Sequence, residues 1–174
     1  MSMAIVDQLT RFFEHRKDAA EFVRAYWPQW LVTLARAEDA QEDNYIFFVG
    51  GRADPDGVSP NFIVRAGHFN EVTKNLLGMP GGERPAHFFY VDMWQTADAV
   101  RAAAKCEGVE LDERFFYALD DPRCEAKILE ELGAHNDRIT RERKAGKPRA
   151  VKAKTIAPAE VRAIFEEARH AVLE

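Results

Sequence analysis

The chain has 174 residues, about one domain by the usual length prior, and its 47% hydrophobic content suits a chain that folds around a buried core. A domain of this length buries roughly 70% of the surface its unfolded chain exposes, so it needs neither a disulfide nor a metal to stand up. With 24 basic and 29 acidic residues the net charge is −5, which excludes a protein that coats nucleic acid or an anionic membrane through its overall field.

Residues 1–40 read as a helical region. Ile5, Leu9, Phe12, Phe13, Ala20, Val23, Tyr26, Trp27, Trp30, Leu31 and Leu34 recur at helical spacing and imply one long helical segment, with Pro28 as the first-turn residue of a second helix running to about Ala40. Residues 44–94 are strand-rich. Tyr45-Ile-Phe-Phe-Val and Asn61-Phe-Ile-Val-Arg predict two strands joined across the turn-rich stretch Gly50 to Pro60. A short helix follows over 69–78, then a third strand over His87 to Trp94. Because both faces of that strand are apolar, it is expected at the centre of the sheet. Residues 96–174 return to helix: one segment capped by Thr96 and ending at Gly108, one near Asp112 to Ala118, a long one over about Pro122 to Lys144, and one over Pro158 to Val172. The pattern predicts a single α+β domain with a small, mostly antiparallel sheet of three to four strands covered by helices, and leaves open a parallel strand pair across residues 69 to 77.

Met1 to Arg11 has no basic region followed by an apolar stretch, and the apolar run Tyr45 to Val49 is far shorter than the roughly 20 residues of a membrane span. Cys106 and Cys124 lack metal-ligand or redox spacing and suit free thiols in a reducing, cytoplasmic compartment. No membrane partner is expected.

The total charge conceals a segregation. Residues 1–137 carry a net −10, residues 138–154 a net +7 and residues 155–174 a net −2. The basic block supplies Arg138, Arg141, Arg143, Lys144, Lys147, Arg149, Lys152 and Lys154, which could lie along a nucleic-acid backbone. The same residues also suit a helix C-terminus, where cations complement the macrodipole, followed by a lysine-protected edge strand over Val151 to Thr155. No aromatic residue is interleaved with the block to stack on bases.

Catalytic templates fail on spacing. Ser59 is not in a nucleophile elbow, the glycine pairs at 50 and 81 fit no phosphate-loop motif, and neither cysteine has a base nearby in sequence. Glu167-Ala-Arg-His170 is a lone Glu-x-x-His, and His135 on the apolar stripe of its helix reads as a core histidine, so neither metal nor cofactor is expected. For a nuclease of the PD-(D/E)xK kind, Pro55-Asp56 supplies the first element, but Glu71 to Lys74 is one residue too long and Glu125 to Lys127 is helical. Asn44-Tyr-Ile-Phe-Phe-Val with Asn61-Phe-Ile-Val-Arg-Ala-Gly-His-Phe-Asn-Glu-Val resembles a strand, strand, helix segment that follows the catalytic core of some restriction-endonuclease-like proteins. That resemblance contains no catalytic residue and implies at most a degenerate, non-cutting relative.

The expectation is a non-enzymatic binding protein that meets a protein partner through its acidic body or an aromatic patch. Trp27 and Trp30, on either side of Pro28, are the candidate interface anchors, and self-association stays open. The alternatives are a nucleic-acid-associated protein using the basic block, and an enzyme whose site is assembled from distant residues such as His68, His87 and Asp92.

Overall fold

The computed structural model describes residues 1–13, 15–41, 45–52, 61–79, 85, 87–145 and 157–171. Among them the chain is α+β, with seven helices and one three-stranded antiparallel sheet. The N-terminal region is three helices rather than one long segment bent at Pro28: α1 (Ser2–Leu9), α2 (Arg16–Ala25) and α3 (Trp27–Ala40). The unexpected break falls at Phe12 and Phe13, which leave the helix to cover the sheet. Phe12 stacks on Phe89 at 4.4 Å between ring centroids, and Phe13 lies 5.4 Å from Phe22. An ion pair between Asp7 and Arg16 (2.8 Å) spans the corner. Pro28 stands in the first turn of α3, where its missing N–H costs nothing.

Strands β1 (Tyr45–Arg52), β2 (Asn61–His68) and β3 (His87–Asp92) are ordered β2-β1-β3, with both pairings antiparallel. The third strand is therefore an edge among the described residues and the first is central, the reverse of the sequence expectation. β2 and β3 run parallel to each other, but β1 lies between them, so no parallel pair forms. In register, Phe47 faces Val91 and Val49 faces Phe89 on one side of the sheet, while Phe48 faces Tyr90 and Gly50 faces Phe88 on the other. The first side packs on α1, α2, α3 and α5 (Met93–Cys106), with the rings of Trp30 and Phe47 stacked. The second is covered by α4 (Phe69–Leu77) through Val72 and Leu76. α4 sits over β1 and β2 and leaves Phe88 56% and Tyr90 47% exposed on β3. Gly50 admits no side chain, because a Cβ there would stand 2.6 Å from the Cβ of Pro85.

Asp92, not Thr96, caps α5, accepting a hydrogen bond from the Gln95 backbone N–H at 3.0 Å. Thr96 lies inside the helix, donating to the Asp92 carbonyl and accepting from Gln8. α5 ends as its sequence predicts: Gly108 takes a positive φ of 71°, and the N–H groups of Gly108 and Val109 return to the carbonyls of Lys105 and Ala104.

The expected helix over Asp112 to Ala118 does not form. This segment is a loop whose backbone donors are claimed by two carboxylates at the end of α3. Glu38 accepts from the N–H of Phe115 (2.9 Å) and of Phe116 (3.2 Å), and Asp39 accepts from the N–H of Leu119 (2.9 Å). Arg101 and Arg114 pair with Glu38 and Asp39 respectively, and the Arg101 guanidinium lies over the Phe115 ring. Backbone N–H groups already paired with carboxylates on another helix do not need helical carbonyls as acceptors. The loop leads into α6 (Pro122–Lys144), capped by Asp121, and α7 (Pro158–Ala171) packs on it. A second apolar cluster forms there from Leu31, Leu119, Cys124, Ile128, Leu132, Val161 and Phe165. The turn-rich stretch after Arg52 and the edge strand expected over Val151 to Thr155 lie outside the described residues. No described helix is long and apolar enough to cross a membrane.

Two measurements check this account. The Glu38 side chain is 1% exposed, so Glu38→Ala leaves two backbone donors without their acceptor and takes from Arg101 one of its two carboxylate partners, and should cost about 3 kcal/mol in a urea titration. Asp39→Ala, in a pair about 30% exposed on both sides, should cost less, about 1 kcal/mol. Second, burial pushes the Cys124 thiol from its ordinary 9.0 up to about 12, whereas Cys106 is exposed. A thiol reagent should label Cys106 alone in the native protein and both cysteines in denaturant. Because the folded thiol holds its proton more tightly than the unfolded one, its contribution is complete below about pH 9 and is lost as pH rises towards 12.

Candidate functional site

α6 carries its apolar residues at Cys124, Ile128, Leu132 and Ile139 inward against α3, α7 and the main core. The face beside that stripe, one turn apart at Glu131, Ala134, His135, Arg138, Arg141 and Glu142, turns towards the corner between α2 and α3. There it forms one wall of a groove of about 500 Å³, with Arg24 and Trp27 on the other wall. A cleft of this size lies within the usual range of about 300–1,000 Å³ for small-ligand sites.

Each polar group in the groove has a definable task. Arg138 donates at 3.1 Å to the carbonyl of Arg24, one of the orphan acceptors in the last turn of α2, and so ties α6 to that helix end. Its guanidinium also reaches His135 Nδ1 (3.4 Å), which must accept because a guanidinium only donates, and the Glu142 carboxylate (3.7 Å). Glu131 lies 3.5 Å from Lys127, whose ammonium charge is held above the usual lysine range by its hydrogen bond to Glu130 and then by the charges of Glu130 and Glu131. Both groove carboxylates thus face cations on their own helix. Two exposed guanidiniums remain, Arg24 on one wall and Arg141 on the other, with no carboxylate partner among the described residues; Arg141 bonds only to the carbonyl of Asp137 (3.4 Å). Trp27, half-buried and packed on both apolar clusters, lines the same groove, as does Ala134.

The structure therefore sorts the sequence candidates. Arg138 and Arg141 reach the groove, the first as a clamp and the second with its charge available. Arg143 and Lys144 are exposed and are not among the groove residues, and Lys147, Arg149, Lys152 and Lys154 lie outside the described residues. Trp30, 1% exposed and stacked on Phe47, is core, so only Trp27 of the two tryptophans stands at a surface. Of the residues named for a dispersed enzyme site, His68 and Asp92 are not brought together. His68 pairs with Tyr45 and Asp92 with Ile46, neighbours on β1 that face opposite sides of the sheet; His87 stands at the far end of β3, and the Asp92 carboxylate serves as a helix cap. Among the described residues no cluster of His, Cys, Asp and Glu could hold a metal ion.

Arg24 escaped sequence reasoning. It is an isolated cation in the last turn of α2, and its one signal was proximity to Tyr26-Trp-Pro; only the packing of α6 brings it opposite Arg141. A scan against protein-family models matches none, and neither the curated proteins nor the solved structures yield a match.

Proposed function

We propose that this chain is a non-enzymatic binding protein whose working surface is the α2–α6 groove, and that its ligand is nucleic acid held through phosphates. One observation carries the reading: Arg24 and Arg141, more than a hundred positions apart in sequence, line one groove with the Trp27 indole and have no carboxylate partner among the described residues, Glu142 of the same groove pairing with Arg138 and Glu131 with Lys127. Guanidinium groups suit phosphate oxygens because they donate in a planar fork and stay charged. The aromatic group missing from the basic block in sequence is supplied across the groove by Trp27. The free thiols at Cys106 and Cys124 support a reducing compartment such as the cytoplasm for this activity.

Binding to labelled DNA or RNA should weaken about tenfold between about 50 and 200 mM salt, the dependence of about two phosphate contacts. Arg24→Glu and Arg141→Glu should each weaken it across all sequences and lower the salt slope by about one. Arg143→Glu, an equal charge change at an exposed position away from the groove, should do far less. Absence of binding at the lowest salt, or equal losses from all three variants, would sink the proposal.

A second reading, contact with a protein partner, is favoured by a different surface. Phe88 and Tyr90 stand on β3, an edge among the described residues, and are only partly covered, Tyr90 by Phe69 of α4 and Phe88 by Phe48; exposed aromatics of this kind anchor interfaces. Phe88→Glu should then abolish capture of such a partner, or self-association seen by sedimentation, while changing stability by less than about 0.5 kcal/mol.

A further inference from the structure

We infer that the groove accepts one unstacked nucleotide, its base against the Trp27 indole and its phosphates on Arg24 and Arg141, so that the preferred ligand is single-stranded nucleic acid. The inference rests on the phosphate-binding reading above and goes beyond it in naming the strand form. Three features carry it. First, the groove is lined from two sides, by α6 and by the junction of α2 and α3, and has the volume of a small-molecule cleft, about 500 Å³. Second, Trp27 is among the residues that line it, and an indole there meets nothing on a duplex, whose base faces are hidden in the stack. An extruded or single-stranded base offers a π-face of any sequence to such a platform. Third, the two uncommitted guanidiniums lie on opposite walls, so a strand passing over Trp27 meets one cation on entering and one on leaving. Arg138, already bonded to the Arg24 carbonyl, fixes the spacing of those walls.

The same rim limits what else can enter. Glu131 and Glu142 line α6 on either side of His135 and Arg138, and would oppose a second strand laid along the helix. One strand crossing the groove avoids this, because its charge concentrates at Arg24 and Arg141.

The test compares an oligothymidylate, a duplex of equal length and thymidine monophosphate at one low salt concentration. The oligothymidylate should bind more tightly than the duplex, with the shallower salt slope of single strands, about 0.7 per phosphate against about 0.9. It should also quench tryptophan fluorescence saturably in the wild-type protein. Trp27→Ala should weaken its binding about tenfold or more. Trp27→Phe should keep most of the affinity and lose the quenching, which separates stacking from loss of fold, because Trp30 and Trp94 remain as reporters. Duplex binding equal to single-strand binding, or oligothymidylate binding untouched by Trp27→Ala but abolished by Arg24→Glu with Arg141→Glu, would overturn this inference and leave a plain phosphate clamp. Equal affinity for thymidine monophosphate would also overturn it, in favour of a free nucleotide. Failure of every probe would overturn the proposed function itself.

Discussion

Two consecutive carboxylates, Glu38 and Asp39, close the last turn of α3 and accept backbone hydrogen bonds from Phe115, Phe116 and Leu119 while pairing with Arg101 and Arg114. Their position is expensive in isolation, since a buried carboxylate loses its water. It is tolerable because Glu38 recovers a guanidinium and two N–H donors in place of solvent. What the arrangement fixes is the path of an otherwise irregular loop. Arg101 reaches the Glu113 carbonyl at 2.8 Å, and Arg114 reaches the carbonyls of Phe116 and Ala35, so loop and helix end are stitched from both sides. Leu119 and Cys124 then arrive in the second apolar cluster, and α6 starts at a defined place and angle. The groove lies downstream of this constraint. Shifting α6 by a residue would rotate its faces by about 100°, carrying Arg138 away from the Arg24 carbonyl and Arg141 away from Trp27.

The sheet shows where local patterning ends and tertiary packing begins. Both β1 and β3 carry apolar residues on two faces, and nothing in the alternation alone distinguishes a central strand from an edge strand. The order is decided by partners on other elements. β1 pairs on both sides, and Gly50 lets Pro85 approach more closely than any Cβ would permit. The outward row of β3 receives only partial cover, Phe88 leaning on Phe48 at 5.2 Å and Tyr90 on Phe69 at 5.3 Å. An edge strand built this way has a buried row and a half-wet row, so reading it as central was reasonable from composition and wrong in topology.

The elements were legible where periodicity and end signals agree. The bounds of α6 follow from Pro122 and the stripe of Ile128, Leu132, His135 and Ile139, and the end of α5 from Gly108. They were illegible where a residue serves a distant partner. Phe12 and Phe13 continue the helical spacing of α1, yet their rings are worth more on Phe89 and Phe22 than in another helical turn. Thr96 has the chemistry of a cap, but Asp92 occupies that position first. The loop over Asp112 to Ala118 is committed to Glu38 and Asp39, more than seventy positions away. The candidate site was half legible for the same reason: the charge asymmetry pointed to Arg138 and Arg141, whereas Arg24 and the role of Trp27 exist only once α6 lies against α2 and α3.

The segregation of charge gives the groove its physical significance. A net −10 over the first 137 residues repels a polyanion from most of the surface, while cations gather along the last turns of α6 and in the segment that follows. The result differs from that of a uniformly basic protein, which gains affinity from every orientation of a nucleic acid and little discrimination among them. In the proposed function, repulsion elsewhere would restrict productive approach to the side carrying Arg24 and Arg141, so that the acidic body would contribute orientation and the groove contact. Net affinity then rests on few phosphates. A ligand engaging so few charges gains little from counterion release, and needs the additional contact of a base with Trp27 to be held. The mild overall charge and the indole in the groove are on this view two parts of one requirement: a binding surface with few cations must recognise more than charge.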